Sequence, residues 1–173
     1  FDDSGAERDS KGFGVFGGMI VDLAGTVSAE AYVGYRRQDF ADAALVDVSG
    51  VAGGLNLIWA PTKLTTVTLT GERTIEETTL TGSTASLNTS FSLSVDHELR
   101  RNLVISLTGG YLDRNYRGIA RNDDTWRGTA SMQYLISRHF RLRAGYSYNA
   151  RGSNVPGAGY KTNTAYVNLH VDY

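Results

Sequence analysis

Apolar and polar positions alternate along most of this chain, in stretches separated by short runs rich in Gly, Asn, Asp and Ser. Val27, Ala29, Ala31, Val33 and Tyr35 alternate with Ser28, Glu30, Tyr32, Gly34 and Arg36, and Ala165, Val167, Leu169, Val171 and Tyr173 alternate with Thr164, Tyr166, Asn168, His170 and Asp172. Successive side chains of a strand point to opposite sides of its sheet, so a period of two predicts strands with one apolar face. On that pattern nine strands are expected, over about 13–23, 27–36, 51–60, 64–77, 87–97, 103–116, 126–135, 140–151 and 160–173. The first has an ambiguous phase, because Phe16 and Ile20 fall opposite Val15, Met19 and Val21. The fourth places Val67, Leu69, Gly71 and Ile75 on its apolar face, together with a discordant Arg73 that must snorkel to an interface or reset the phase at a bulge. No long window repeats at the helical spacing.

The connections alternate in length. Those at 22–26, 60–63, 98–102 and 137–139 are short, and Pro61 is expected to end ladder pairing at one of them. Those at 38–49, 78–86, 117–125 and 151–160 are longer. Transmembrane barrels show this asymmetry between periplasmic turns and outer loops, and a strand of about 10 residues crosses the hydrocarbon layer when tilted by ~45°. The fold expected is all-β, an antiparallel up-and-down transmembrane β-barrel. With the short turns on one side, Trp59, Tyr134, Phe140 and Tyr173 fall at that level and Tyr35, Tyr111, Trp126 and Tyr148 near the other, as two interfacial aromatic girdles would.

Composition agrees with this picture. The 173 residues fit one domain, 1–173, with 1–11 as a polar loop or leader, and 20 Gly, 10 Tyr and only 2 Pro suit strands and turns. Mean hydropathy is −0.25, which a barrel tolerates because only every second residue of its wall meets lipid. No apolar run reaches the roughly 18 residues of a membrane-spanning helix. A net charge of −1 gives no reason to expect nucleic acid as a partner, and the absence of cysteine removes disulfides, thiolate catalysis and Cys-ligated metals.

Candidate chemistry is sparse. Asp96 and His97, with Ser94 before them, hint at a nucleophile relay, yet adjacent strand residues point to opposite faces and cannot form a triad. Asp123-Asp124, in a predicted outer loop, is a candidate contact for a cation or a lipopolysaccharide-bound divalent ion, against the plainer reading of a solvated turn. No phosphate loop, HExxH or EF-hand pattern occurs, so neither enzyme activity, cofactor nor metal is expected. The phasing turns Arg36, Arg114, Arg127, Arg141, Arg143 and Arg151 inward with Asp22, Glu30, Glu72, Glu76 and Asp96. The acids lie in the first five strands and most of the arginines in the sixth to eighth, which sets a transverse field across a lumen of the kind by which charged rings select solutes. The competing reading is an ion-pair network packed inside a narrow or plugged barrel.

The second half contains VDHELRRNLVISLTGGY, then YRGIARNDDTWRGTASMQYLISRHFRLRAGYSYNARGSN, and the chain closes on an aromatic residue. Over about residues 50–173 this resembles the β-barrel porin family of proteobacterial outer membranes often found with exopolysaccharide or capsule export genes. The resemblance implies a bacterial outer-membrane location, contact with membrane lipid and lipopolysaccharide, and engagement of the barrel assembly machinery by the C-terminal strand. It also implies other outer-membrane or export-complex proteins as partners, and it transfers no catalytic residue. The function expected is porin-like passage of solutes, or assistance to polysaccharide export, through an Arg-lined lumen; the alternative is a non-conducting scaffold barrel that anchors partner proteins. Because nine is odd and family members are longer, the chain is expected to be the C-terminal part of a barrel of about 12 to 18 strands, or to close with another chain's strands.

Overall fold

A computed structural model describes residues 10–41, 46–78, 80 and 82–171. Nine strands follow one another: β1 (Ser10–Leu23), β2 (Val27–Phe40), β3 (Val48–Thr62), β4 (Thr65–Glu77), β5 (Ala85–Arg100), β6 (Leu103–Arg117), β7 (Asn122–Leu135), β8 (Phe140–Ser153) and β9 (Tyr160–Val171). Each pairs antiparallel with the next in a single sheet of order β1 to β9, so the topology is up-and-down as expected. Among the described residues no helix is long and apolar enough to cross a membrane, which says nothing of strands.

The strands reach further than the alternation predicts. β2 continues to Phe40, β5 spans Ala85–Arg100 rather than 87–97, and β7 opens at Asn122 rather than Trp126. The apolar pattern ends where the lipid-facing band ends, whereas backbone pairing continues through polar residues beyond it, and only the first is visible in hydropathy. β1 likewise opens at Ser10, inside the stretch read as a leader. The predicted end of pairing at Pro61 is corrected: β3 runs through it to Thr62, and a register shift between Trp59 and Thr62 absorbs the proline, while the Ala60 amide donates to the Thr26 carbonyl at 2.8 Å. A proline inside a strand is tolerated at such a bulge.

The connections keep their alternation, with turns at 24–26, 63–64, 101–102 and 136–139 and the others at 41–47, 78–84, 118–121 and 154–159. In the first turn Ala24 has φ 45° and Gly25 φ 76°, and the Thr26 amide donates to the Leu23 carbonyl at 2.9 Å, the pair of positive φ values of a type I′ turn, which suits the twist of a hairpin.

The buried apolar cluster is small and lies at the long-connection end: Val48, Ile75 and Ala85, with Phe40 and Leu87 against them. Ile75, expected on the apolar outer face, is only 4% exposed and belongs to this cluster. Beside it the Thr84 hydroxyl accepts from the Val46 amide at 3.0 Å, and the Ser83 hydroxyl donates to the Arg117 carbonyl at 2.8 Å, tying two long connections to each other and to the end of β6.

Candidate functional site

The register divides the sheet into two faces. One row of partners runs Met19, Ala31, Leu55, Gly71, Phe91, Tyr111, Trp126 and Ala150, and every second residue from it shares its face. On that face β3 from Val51 to Trp59, β6 from Leu103 to Tyr111, β7 from Trp126 to Tyr134 and β8 from Phe140 to Tyr148 carry no charge. The face is exposed all the same: Val15 is 70% accessible, Leu107 53% and Val167 70%. An uncharged exposed band of this extent is the surface a barrel presents to hydrocarbon.

The aromatic residues expected in girdles lie on this face where the structure describes them. Trp59, Tyr134 and Phe140 sit next to the short turns, while Tyr35, Tyr111, Trp126 and Tyr148 lie toward the other ends; Tyr173 falls outside the described residues. Tyr111 and Trp126 are cross-strand partners with ring centroids 4.6 Å apart. The next row on this face is Arg73, Thr89, Asp113 and Asp124, and Arg37 pairs with Asp39 at 2.7 Å. Arg73 therefore keeps the outward phase and stands in a polar rim beyond the aromatic level, its guanidinium 3.5 Å from the Thr89 hydroxyl.

The opposite face is polar, and the register places on it all eleven charged residues that the phasing turns inward: Asp22 on β1, Glu30 and Arg36 on β2, Glu72 and Glu76 on β4, Asp96 on β5, Arg114 on β6, Arg127 on β7, and Arg141, Arg143 and Arg151 on β8. Several are engaged locally. Asp96 accepts from the Ser106 hydroxyl, Arg114 donates to Asn88 at 3.1 Å, Arg143 donates to Gln133 at 2.7 Å, and Thr74 donates to Glu76 at 3.3 Å. Glu30, Arg36, Glu72 and Arg127 have no side-chain hydrogen bond or ion pair among the described residues. Glu72, Glu76, Asn88, Ser90, Arg114 and Arg127 line one groove of about 430 Å³.

Arg151 has another role. Together with Arg121 it holds Asp123, which lies at the start of β7, beyond Trp126 and hence outside the lipid-crossing part of the strand. The Arg121 guanidinium is 3.0 Å from the carboxylate and stacks over Tyr116 at 5.1 Å. Burial by itself would raise the Asp123 carboxyl, but hydrogen bonds from Arg121, Ser153 and Arg151 and the charge of Arg151 hold it down at about 2. Asp123, read as part of a cation-contacting or solvated loop, is instead a strand residue only 2% exposed. Asp124 is separated from it on the outer face, opposite Asp113. Among the described residues no group of three or more His, Cys, Asp or Glu is placed to hold a metal.

One feature of the polar face was not legible in the sequence. Phe16, Tyr32 and Tyr166 stand there with their rings laid over glycines of neighbouring strands: a Cβ on Gly54 would come within 2.6 Å of the Tyr32 ring, and one on Gly145 within 2.6 Å of the Tyr166 ring. The signal is a glycine opposite or beside an aromatic, and it appears only once the register is known.

Comparison with known proteins bears on this geometry as a whole. The model of the family described as "Putative beta-barrel porin 2" matches residues 1–173. No curated protein matches. Among solved structures, in-vitro folded OmpT, an outer membrane protein of Vibrio cholerae in its trimer form, superposes with a TM-score of 0.62 at 15% identity, over 84% of this chain and 49% of that one. OmpT expressed in the outer membrane of Vibrio cholerae gives a TM-score of 0.53 at 13% identity, over 94% of this chain and 55% of that one. At such identities the likeness is one of fold, and the chain spans about half the length of those proteins.

Proposed function

The chain belongs to the "Putative beta-barrel porin 2" family and is a porin-like β-barrel of the bacterial outer membrane; from that premise we propose that its polar face lines a water-filled lumen through which small polar solutes pass. The observation that carries this reading is the state of Glu30, Arg36, Glu72 and Arg127, four charged side chains on one face without partners on their own sheet. A charge at membrane depth is costly unless it faces water or an opposite charge, so such residues mark a solvated path. The segregation of Glu72 and Glu76 from Arg114, Arg127, Arg141 and Arg143 gives that path a transverse field. The roles are binding and steering; no catalytic set accompanies them.

Assistance to polysaccharide export is the finer form of this reading, supported by the resemblance of residues 50–173 and by the flat rings of Phe16 and Tyr32 on the polar face. Lipid and lipopolysaccharide surround the outer face, the assembly machinery engages the C-terminal strand, and 1–173 forms one wall unit. Planar bilayers containing the native protein test the proposal. Stepwise conductance that falls, and turns toward cations, when Arg141 and Arg143 become Glu is the expected outcome. A silent bilayer from correctly folded protein would favour the scaffold barrel.

A further inference from the structure

The groove between β4 and β7 has an arrangement that a general solute path does not require. Its two sides carry opposite charge: Glu72 and Glu76 on β4, Arg114 and Arg127 on β6 and β7. Between them runs β5, whose residues on this face are short and polar, Asn88 and Ser90 among them. Neighbouring strands are spaced about 4.8 Å apart, so two to three strand spacings, about 10–14 Å along the wall, separate the two sides. No ion pair joins them. Asn88 is buried and fixed by the Arg114 guanidinium at 3.1 Å, which gives the floor a set position. At about 430 Å³ the groove holds a molecule of monosaccharide size and falls within the range of ordinary small-ligand pockets.

We propose that this groove binds a zwitterionic, hydroxyl-bearing solute, its cationic end on the Glu72 and Glu76 carboxylates, its anionic end on the Arg114 and Arg127 guanidiniums, and its hydroxyls over the serine and asparagine floor. Each end completes charges that the sheet leaves apart, and a molecule with one charge satisfies one side while leaving the other bare. A guanidinium offers several donors to a carboxylate or phosphate, and a carboxylate accepts from an ammonium, so the two sides read opposite ends of one ligand. The proposal rests on the reading of the polar face as a solvated lumen.

The test uses native protein extracted from outer membranes in a non-ionic detergent, with glucosamine 6-phosphate as the zwitterionic probe and glucose 6-phosphate, glucosamine and glucose as probes that lack one or both charges. Calorimetric titration is expected to give glucosamine 6-phosphate about fivefold higher affinity than either singly charged sugar, as one additional charge contact predicts. Glu72→Gln with Glu76→Gln should abolish its advantage over glucose 6-phosphate, and Arg127→Gln, at a side chain with no partner in the sheet, should reduce its advantage over glucosamine. Retention of the heat-modifiable band on electrophoresis shows that the variants fold. Equal affinity for the four sugars, or a preference that survives these substitutions, overturns the proposal. Conductance recorded on the same preparation separates the two readings: steps without sugar preference leave the pore and remove this site, whereas preference without steps removes the pore alone.

Discussion

Asp123 is where a single residue departs furthest from its sequence surroundings. An Asn-Asp-Asp-Thr run reads as a loop, yet Arg121 and Arg151 close on the first aspartate and bury it at the rim. Its carboxyl titrates at about 2 in the folded protein, below the usual value near ~3.9. A depressed folded value means that its stabilisation is complete above about pH 4 and is lost as pH falls toward 2. Protection from hydrogen exchange at 121–123 and 151–153, after correction for the intrinsic pH dependence of exchange, is therefore expected to fall between about pH 4 and pH 2, and Asp123→Asn should remove that fall while weakening the rim by roughly 2 kcal/mol at neutral pH. Protection that stays constant in wild type over this window would rule the contribution out. Glycines give a second test at this scale. A Cβ on Gly34 would fall inside contact distance of the Val15 carbonyl and the Phe16 ring, whereas one on Gly145 meets only the movable end of Tyr166. Gly34→Ala should cost roughly 1–3 kcal/mol in urea unfolding and Gly145→Ala under about 1, because a backbone oxygen cannot swing aside as a ring can.

At the scale of elements, hairpins carry the fold, and their turns decide the register. The first turn places Ala24 in left-handed conformation at φ 45°, which an L-residue with a Cβ adopts at a cost of about 1 kcal/mol. Ala24→Asn would create the Asn-Gly pair favoured in type I′ turns and is expected to raise unfolding stability by about 0.5–1 kcal/mol, read as a shift in urea midpoint at constant slope. No shift would show that the turn is not under strain. What the sequence made legible follows the same division. The nine strands, their order of short and long connections, and the phase of every strand after the first were readable because lipid demands an uncharged side at every second residue, from Val51 to Trp59 as from Trp126 to Tyr134. Strand ends such as Asn122–Thr125 were hidden because backbone pairing continues where lipid no longer constrains composition. Pro61 misled for a related reason, since a bulge can carry it through a strand. The charged set of the polar face was legible as a list; the pairing of Arg151 with Asp123, the gap between Glu72 and Arg127, and the rings over Gly54 and Gly145 needed the register.

The whole molecule is governed by its two edges. In the described sheet β1 pairs only with β2 and β9 only with β8, so two rows of backbone donors and acceptors have no partner within the sheet. In lipid such edges are untenable, and only closure satisfies them. β1 and β9 are separated by eight antiparallel steps in the order β1 to β9, so they run in the same direction. Direct pairing of β9 with β1, or of β9 with β1 of a second copy related by an axis along the barrel, would therefore make a parallel seam. A wholly antiparallel barrel requires an odd number of further strands between them, and a wall that covers about half of the OmpT chain leaves room for such a set. We predict closure by that odd set. Cysteine cross-linking in the native outer-membrane protein tests it, and the 173 residues themselves add no background because they contain no cysteine. Ala144→Cys with Val167→Cys, partners across β8 and β9, should form a disulfide and serves as the positive control. Pairs placed between 13–23 and 163–171 should form none, within one molecule or between two. Efficient cross-linking in any of them would mean that β1 and β9 meet directly, and the odd set would then have no place in the barrel.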